Sequence, residues 1–303
     1  MQKEFYSNGK LLLSGEYAIL DGALGLAVPA KYGQSLNVTQ TASTGLLEWK
    51  SFDEKKSIWF NGSFDLDGLK LISTTDSAIS KTLIDLLSEA KSQNPEFLQN
   101  SVGFIIETHL NFSRNWGLGT SSTLINNIAQ WAKIDPYKLL WNAFGGSGYD
   151  IACAQHDGPI LYQLENDNPK VEEVAFNPSF KDSIYFVHLN QKQSSKEAIT
   201  NYRKQRFSKS SLISKVSSIT KKMIASSSLL EFETLIQEHE ETLSKVLGLP
   251  TIKSKLFKDF PGAVKSLGAW GGDFVMVTGD ENAPSYFSSK GFSTCYQFRE
   301  MVL

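Results

Sequence analysis

The chain has 303 residues, of which 41% are hydrophobic and 20% are charged, and its formal net charge is −2. This apolar fraction is sufficient for a core in one large domain or two lobes, and the nearly balanced charge argues against a nucleic-acid partner. No apolar run reaches the roughly 18 residues of a membrane span, and the N-terminus lacks a signal-peptide core, so we expect a cytoplasmic protein without a membrane partner. Cys153 and Cys295 are not spaced as metal ligands, and we interpret both as buried thiols.

The first third of the chain is predicted to consist mostly of strands. Apolar runs at residues 9–20 and 23–40 are separated by Asp21-Gly22, a pair typical of turns. Residues 46–52 and 57–64 flank the charged segment DEKK, and this arrangement predicts a β-hairpin.

The hydrophobic period changes to that of a helix at residues 78–90 and back to that of a strand at residues 102–112. The apolar face of the predicted helix comprises Ile79, Leu83, Leu86, Leu87 and Ala90. In the predicted strand, Phe104 and Ile106 point to one face, and Ile105 and Glu107 point to the other.

A glycine-rich segment follows this strand and leads into a second helical pattern. Apolar residues from Leu124 to Ala132 form a helical stripe. Asp135 and Pro136 then predict the start of a further helix, with aspartate as the N-cap and proline in the first turn.

The second half of the chain mixes helices and strands. Residues 143–162 predict a glycine-rich loop, a short apolar helix and a strand, and residues 169–198 predict two strands and a helix start. A long helical region is expected at residues 208–247, and residues 265–280 predict a glycine loop that runs into a strand. Early strands with a late helix cluster favour an α+β fold over a doubly wound sheet.

The segment NWGLGTSST, residues 115–123, has the composition of an anion site at a helix N-terminus. Gly117 and Gly119 let the backbone approach a ligand, and the first N–H groups of a helix have no partner within it. The three hydroxyl residues 120–122 can donate to phosphate oxygens or coordinate Mg²⁺. The segment is neither a Walker A loop nor a dinucleotide fingerprint, and by itself it also fits a serine-capped helix after a tight turn.

Three further segments extend this interpretation. They are NGKLLLSGEYAILDGALGLAVPA at residues 8–30, GGSGYDIACAQHDGPILY at 145–162 and LGAWGGDF at 267–274. Together with residues 115–124 they resemble, in the same order, the motifs of the GHMP kinases, a family that includes galactokinase, homoserine kinase, mevalonate kinase and phosphomevalonate kinase. The resemblance covers nearly the whole chain.

The resemblance implies a fold of two α+β lobes, predicted as residues 1–165 and 166–303, with the active site in the cleft between them. It also implies transfer of the γ-phosphoryl group of MgATP to a small-molecule substrate, with ATP and Mg²⁺ as cofactors. The implied ATP-binding residues are Gly117, Leu118, Gly119, Thr120, Ser121 and Ser122.

Lys10 and Asp150 are the catalytic residues that the resemblance implies. Lys10 would lie near the transferring phosphoryl group, where phosphoryl transfer needs cations. Asp150 would accept or orient the proton of the acceptor, although it could also serve as an N-cap of the following helix. Glu16 would contact the substrate or order Lys10.

The remaining implied site residues follow from the same motifs. Those for substrate binding, besides Glu16, are Ser147, Gly148, Gly268, Gly271, Gly272 and Asp273. The implied metal ligands for Mg²⁺ are Ser121 and Ser122. The histidines do not cluster, and His239, in a segment that resembles a family helix, is interpreted as a core or surface histidine.

Three positions depart from the family pattern. Ser7-Asn8 stands where the first motif has Ala-Pro, and Trp270 stands where the third motif has a glycine. An indole at this position would crowd the phosphate loop or stack on a ligand. The acid that helps to hold Mg²⁺ in mevalonate kinases, upstream of the segment that here reads SGYD, is absent from residues 138–146.

The acceptor is left open between several classes. The motifs GSGYDIA and GAWGGDF resemble phosphomevalonate kinase more than mevalonate kinase. A phosphate acceptor is mostly deprotonated at pH 7 and needs cations, for which the candidates are Lys10, Lys31, Arg114, Lys192 and Lys196. The alternatives are a GHMP kinase for a sugar or another alcohol and a non-catalytic nucleotide-binding member. We expect a monomer or a homodimer.

Overall fold

The structure is a computed structural model that describes residues 2–99, 101–192 and 194–303. The strands in chain order are β1 (Gln2–Ser14), β2 (Gly25–Thr41), β3 (Leu46–Phe52), β4 (Ile58–Asp65), β5 (Lys70–Thr74), β6 (Gly103–Leu110), β7 (Ile160–Glu165), β8 (Asn168–Glu173), β9 (Ile184–His188), β10 (Val264–Ser266), β11 (Phe274–Thr278) and β12 (Cys295–Gln297). The α-helices are α1 (Ser77–Gln93), α2 (Thr120–Ala132), α3 (Pro136–Ala143), α4 (Tyr149–Gln155), α5 (Ser195–Arg203), α6 (Lys209–Ala225), α7 (Leu229–Leu247), α8 (Ile252–Leu256), α9 (Ala283–Ser289) and α10 (Phe298–Met301). The predicted α+β class is confirmed.

The chain divides into two compact units, and both are discontinuous in sequence. The first comprises the chain up to Gly9, Tyr32–Arg114 and Leu118–Gln155, and the second comprises Lys10–Lys31, Asn115–Gly117 and the chain from His156 onward. These units differ from the contiguous lobes predicted as residues 1–165 and 166–303. Residues 10–31 belong to the second unit because Tyr17, Ala18 and Ala23 are buried against its helices, among Leu212 and Leu243.

The first unit is built on a sheet with the strand order β5-β4-β3-β6-β2, to which β2 contributes its second half. Neighbouring strands are antiparallel, except that β3 and β6 run parallel. Large apolar side chains of the sheet, including Trp49, Phe60 and Ile106, are buried with residues of α1, α2 and α3. Removal of this apolar surface from water is the main force that holds the unit together.

Local sequence signals predicted the positions of several elements of the first unit correctly. Helix α1 confirms the pattern at residues 78–90, and Asp76 caps it by accepting hydrogen bonds from the N–H groups of Ala78 and Ile79. Helix α3 begins as predicted, with Asp135 as its N-cap and Pro136 in its first turn. The hairpin of β3 and β4 and the alternation of side chains along β6 are also confirmed.

The second unit contains an antiparallel sheet with the order β10-β11-β9-β12. Its central strands β9 and β11 are buried along their whole length, as their nearly continuous apolar sequences predict. The first half of β2 pairs with β7, and β7 pairs with β8. The apolar core beside β9 and β11 includes Phe257 and Phe287.

One predicted element is wrong in its extent. The strand expected at residues 9–20 ends at Ser14, because Gly15 and Tyr17 have φ angles of 101° and 60°, which an extended strand cannot contain. The chain then forms a single turn of 3-10 helix, Ala18–Asp21. The helical region predicted at residues 208–247 is confirmed. It comprises two helices, α6 and α7, and Ser228 caps the second by accepting from the Glu231 N–H. Within the described residues, no helix is both long and apolar enough to cross a membrane.

Candidate active site

Gly9, in the first predicted motif, lies where strand β1 has no room for a side chain. A Cβ atom on Gly9 would lie 2.8 Å from the carbonyl oxygen of Tyr32 and 2.9 Å from that of Leu118. Both are backbone atoms that cannot rotate away, so only glycine fits at this position. The close approach places β1 against the predicted ATP loop.

Lys10 follows Gly9, and its side chain binds a carbonyl of the predicted ATP loop. Its Nζ donates a hydrogen bond to the carbonyl oxygen of Gly117 over 2.8 Å. Gly117 has a φ angle of 67°, and a Cβ atom on it would lie 2.4 Å from the carboxyl carbon of Asp273. The structure therefore brings together one predicted residue from each of three motifs.

Helix α2, at the end of the predicted ATP loop, begins without a side-chain cap. Its N-cap is Gly119, in the left-handed conformation with a φ angle of 95°. The interpretation as a serine-capped helix is therefore wrong. The first N–H groups of α2 lack partners within the helix, and the positive end of its dipole favours an anion.

The hydroxyl groups of this loop differ in their surroundings. Ser122 is buried and its Oγ donates a hydrogen bond to the carbonyl oxygen of Gly119 over 2.9 Å. Thr120 is partly buried, and Ser121 is exposed. Of the two predicted metal ligands, Ser121 is thus the one that faces solvent. Leu118 is fully buried and anchors the loop in the first unit.

Asp150 lies in the first turn of α4 and not at its N-cap, since the helix begins at Tyr149. The side chain is partly exposed, and its Oδ1 accepts a hydrogen bond from the Ile151 N–H over 3.1 Å. Burial raises the pKa of Tyr137, and the nearby Cys153 and Asp150 raise it further by smaller amounts. The carboxylate is therefore both partly solvated and close to a half-buried phenol.

Ser147 and Gly148, predicted to bind substrate, form the turn that starts α4. Both are buried, and Gly148 has a φ angle of 91°. The carbonyl oxygen of Gly148 accepts hydrogen bonds from the N–H groups of Ile151 and Ala152. This turn fixes the direction in which α4 presents Asp150.

Glu16 lies in the interior of the second unit, where its side chain is 1% exposed. Its carboxylate forms an ion pair with Lys265, which is fully buried, and its Oε2 lies 3.3 Å from Nε2 of His239. Burial raises the pKa of Glu16, and the positive charge of Lys265 opposes that effect. The sequence predicted a cleft residue here because nothing local marks the distant partners.

His239 and Glu240 complete this buried group on helix α7. Nε2 of His239 accepts a hydrogen bond from the Gly15 N–H over 3.1 Å. Burial, and then the charge of Lys265, hold the pKa of His239 well below its usual range, so the ring is neutral. Burial raises the pKa of Glu240 to about 8, and its Oε1 accepts from the Ser266 N–H. His239 is the core histidine that the sequence suggested.

The third glycine loop, residues 267–273, contains the remaining predicted substrate-binding residues. Gly268 and Gly271 have φ angles of 68° and 85°, and a Cβ atom on either would meet nothing within 4 Å. The N–H of Gly272 donates to the Ala269 carbonyl over 3.4 Å. Asp273 has a φ angle of 52°, and its N–H donates to the carbonyl of Gln191 over 2.7 Å. Gly268 and Gly271 therefore allow the left-handed backbone angles of the loop, and they are not required by a lack of room for a side chain.

A neutral polar network behind the ATP loop was missed from the sequence. Oγ of Ser7 donates to Oδ1 of Asn127 over 2.7 Å, and Nδ2 of Asn126 donates to the same hydroxyl over 2.8 Å. Nδ2 of Asn127 donates to the carbonyl of Gln34 over 2.9 Å. Two adjacent asparagines within the apolar stripe of helix α2 were the available signal. The departure at Ser7 is explained by this network.

The candidate cations for an anionic acceptor have different surroundings. Nζ of Lys31 donates to the carbonyl of Arg299 over 2.6 Å, and the guanidinium of Arg114 lies 3.7 Å from the ring centre of Trp59. Lys192 and Lys196 are exposed. Lys10 is therefore the candidate that the structure shows bound to a predicted ATP-loop residue.

The chain is similar to known proteins in structure but not detectably in sequence. No protein-family model matches the chain, and no curated protein is significantly similar to it in sequence. Mevalonate kinase from Methanococcus jannaschii is 13% identical over 98% of this chain and 98% of that chain, with a TM-score of 0.71. Phosphomevalonate kinase from Streptococcus pneumoniae, solved with phosphomevalonate and AMPPNP, is 14% identical over 97% of this chain and 99% of that chain, with a TM-score of 0.71. Galactokinase from Lactococcus lactis, complexed with galactose, is 14% identical over 98% of this chain and 92% of that chain, with a TM-score of 0.67.

The chain has the GHMP kinase fold. The resemblance inferred from four short motifs is therefore confirmed at the level of the fold. The match to GHMP kinase structures covers nearly all of this chain, whereas the overall sequence identity is only 13% and 14%. The family signal was carried by glycines and a few polar residues, which are the positions where backbone path and chemistry restrict the choice of residue.

Proposed function

We propose that the chain is an ATP-dependent small-molecule kinase that transfers the γ-phosphoryl group of MgATP to an acceptor of the mevalonate or phosphomevalonate type. The observation that supports this most is the hydrogen bond from Lys10 to Gly117, two residues before the uncapped N-terminus of α2, in a chain with the GHMP kinase fold.

Lys10 would supply positive charge where the transition state of phosphoryl transfer concentrates negative charge. Phosphoryl transfer requires little covalent help from the protein, and positioning with electrostatic stabilisation provides most of the rate enhancement. The hydrogen bond to Gly117 holds the ammonium group at the loop. The lysine is therefore preorganised for this role.

The phosphates of ATP would bind at the N-terminus of α2. Gly119 leaves the first turn of the helix open, and no side chain caps the N–H groups there. The exposed hydroxyl of Ser121 and the partly buried hydroxyl of Thr120 can add hydrogen bonds to phosphate oxygens. In this arrangement Gly117 and Leu118 shape the loop, and Ser122 stabilises it from inside.

The residues at this loop fit Mg²⁺ only as an ion held largely by the nucleotide. Among the described residues, no group of three or more His, Cys, Asp or Glu side chains could hold a metal. Mg²⁺ commonly keeps several waters and binds through substrate phosphates with one or two protein oxygens, and Ser121 offers one such hard oxygen. When bound, the ion would neutralise charge on the phosphates.

Asp150 would act on the acceptor. A carboxylate that is partly exposed can accept a proton from an alcohol, and the turn of Ser147 and Gly148 fixes its direction. A phosphate acceptor is already mostly deprotonated at pH 7, so for it Asp150 would orient more than deprotonate. The effect of removing this carboxylate therefore depends on the acceptor.

The motifs around Asp150 and Asp273 favour phosphomevalonate over mevalonate as the acceptor. Structures of both kinases match the chain equally well, so this preference rests on those motifs alone. The match to a galactokinase keeps a sugar acceptor as the second candidate.

The test is ADP release from MgATP by the wild type and by Asp150→Asn, with mevalonate, phosphomevalonate and galactose supplied in parallel. We expect turnover with phosphomevalonate and a loss of about 10²- to 10⁴-fold in the variant if an alcohol is deprotonated, with a smaller loss for a phosphate acceptor. Glu96→Gln, an exposed change near the start of the segment between α1 and β6, serves as the control. Binding of ATP without ADP release on any acceptor would contradict the proposal and favour a non-catalytic nucleotide-binding protein.

A further inference from the structure

The third glycine loop is held at its start, its middle and its end, within the second unit. The end is held by Asp273, whose N–H donates to Gln191 and whose carbonyl accepts from the Leu189 N–H. The start and the middle are held by two adjacent residues of the turn after β1, Glu16 and Tyr17. One turn therefore holds the loop at two points.

Glu16 holds the start of the loop through Lys265 on β10. Nζ of Lys265 donates to Oε1 of Glu16 and, over 3.1 Å, to the carbonyl oxygen of Ser266. Both side chains are buried, so the pair is shielded from water and cannot exchange partners readily. The last residue before the loop is thereby tied to the turn.

Tyr17 holds the middle of the loop through Trp270. The backbone N–H of Trp270 donates to the hydroxyl oxygen of Tyr17 over 2.8 Å. The indole N–H of Trp270 donates to the carbonyl of Pro250 over 3.1 Å, and the ring packs on the apolar group that contains Tyr17 and Tyr202. The tryptophan that departs from the family pattern thus serves as an anchor in the second unit.

The turn that carries Glu16 and Tyr17 is itself fixed. Gly15 has a φ angle of 101°, and a Cβ atom on it would lie 2.8 Å from Cα of Gly25. The N–H of Gly15 donates to His239, and the Tyr17 ring lies 5.4 Å from that of Tyr202. Because this turn is constrained, it can fix the positions of Lys265 and Trp270, which are bound to it.

The loop has little other support at its glycines. Gly268 and Gly271 have open space where a side chain would be, and both adopt left-handed backbone angles. Glycine has the largest conformational freedom to lose on ordering. The anchors therefore decide the path of this loop more than packing of the loop itself does.

We propose that Glu16 and Tyr17 are positioning residues that set the path of the third glycine loop through Lys265 and Trp270, without touching ATP or the acceptor. The loop ends at Asp273, which lies against Gly117 beside Lys10, so displacement of the loop shifts groups around Lys10. The effect on turnover rests on the proposed kinase function, whereas the effect on the loop does not.

The first test measures amide hydrogen exchange of residues 267–273 in the wild type, Tyr17→Phe and Trp270→Phe. Tyr17→Phe removes the acceptor for the Trp270 N–H, and we expect exchange of the loop to accelerate about fivefold, as expected for one hydrogen bond. Trp270→Phe keeps that bond and most of the packing but loses the indole N–H, and we expect a smaller acceleration, of about twofold. Tyr286→Phe, which removes a hydroxyl bound to Asp259, is the matched control and leaves the loop unchanged. Equal exchange of the loop in wild type and Tyr17→Phe would overturn the proposal.

The second test uses turnover. A positioning role predicts that Tyr17→Phe and Glu16→Gln lower kcat about tenfold while KM for the acceptor changes less than twofold, because misplacement affects the reacting geometry and not a ligand contact. A raised KM for the acceptor with unchanged kcat would show that these residues bind substrate, and it would refute the positioning role. If the wild type shows no kinase activity, the proposed function fails, and the exchange measurement still decides the inference.

Discussion

Two buried polar networks support the candidate site, and they differ in charge. In the first unit, Ser7, Gln34, Asn126 and Asn127 are joined by hydrogen bonds between neutral groups behind helix α2. In the second unit, Glu16, Lys265, His239 and Glu240 lie together beneath the third glycine loop.

The difference shows two ways of making a polar interior. A neutral network loses only the hydration of dipoles on burial, and its strength does not vary with pH. A charged network must balance its charges, and here Lys265 offsets Glu16 while burial keeps His239 and Glu240 neutral. The charged network is therefore expected to respond to pH, and the neutral network is not.

The largest expected effect is that of Lys265→Met. This change leaves the Glu16 carboxylate buried without its partner, and we expect a loss of about 3–5 kcal/mol in the free energy of unfolding. Denaturant unfolding measures it. The double variant Glu16→Gln, Lys265→Met is the control and recovers most of the loss, because no charge is left unpaired. Equal destabilisation of the single and double variants would show that packing, and not charge, matters here.

A smaller effect, which depends on pH, is expected from Glu240→Gln. The pKa of Glu240 is raised from 4.5 to about 8, so between these values the unfolded chain has released a proton that the folded chain keeps. Stability contributed by this group therefore falls as pH rises through that range. His239, with its lowered pKa, has the opposite slope below its ordinary value of 6.5, so it opposes the decline there.

Between pH 6.5 and 8 His239 no longer opposes the slope of Glu240, and the stability contributed by Glu240 falls by about 2 kcal/mol over that interval. Glutamine resembles the protonated carboxyl group and removes this decline. Thermal unfolding at pH 6.5 and 8 measures both proteins. A variant that declines with pH as steeply as the wild type would show that another group titrates in this range.

The smallest effect is expected from Thr123→Val in the neutral network. The hydroxyl of Thr123 donates to Oε1 of Gln34 over 2.8 Å, and loss of that bond at constant shape costs about 1 kcal/mol. Because no charge is involved, denaturant unfolding at pH 5.5 and 8 gives the same loss. A loss that changes with pH would remove the distinction between the two networks.

Local signals explain why much of the fold followed from the sequence. Helices α1 and α3 are marked by their own caps, Asp76 and Asp135, and strand β6 by the alternation of its apolar residues. Each of these signals lies within a few residues of the element that it predicts. The four ordered motifs predicted the fold. The structure brings Lys10, Gly117 and Asp273, one residue from each of three of these motifs, close together.

Long-range partners explain what did not follow from the sequence. Glu16 is separated from Lys265 by 249 positions, and no local pattern distinguishes a buried ion pair from a cleft carboxylate. The end of β1 at Ser14 was missed because Tyr17, an aromatic residue common in strands, adopts a φ angle of 60°. Trp270 was expected at the phosphate loop or a ligand, whereas its indole donates to Pro250.

The most direct measurement is ³¹P NMR of the products formed from MgATP and phosphomevalonate by the wild type and by Lys10→Met. The kinase proposal predicts that the γ-phosphoryl group of ATP appears on the acceptor as a diphosphate together with ADP, and that Lys10→Met slows this transfer by at least about 10²-fold. Release of inorganic phosphate without a phosphorylated acceptor, or equal transfer by the wild type and Lys10→Met, would contradict it.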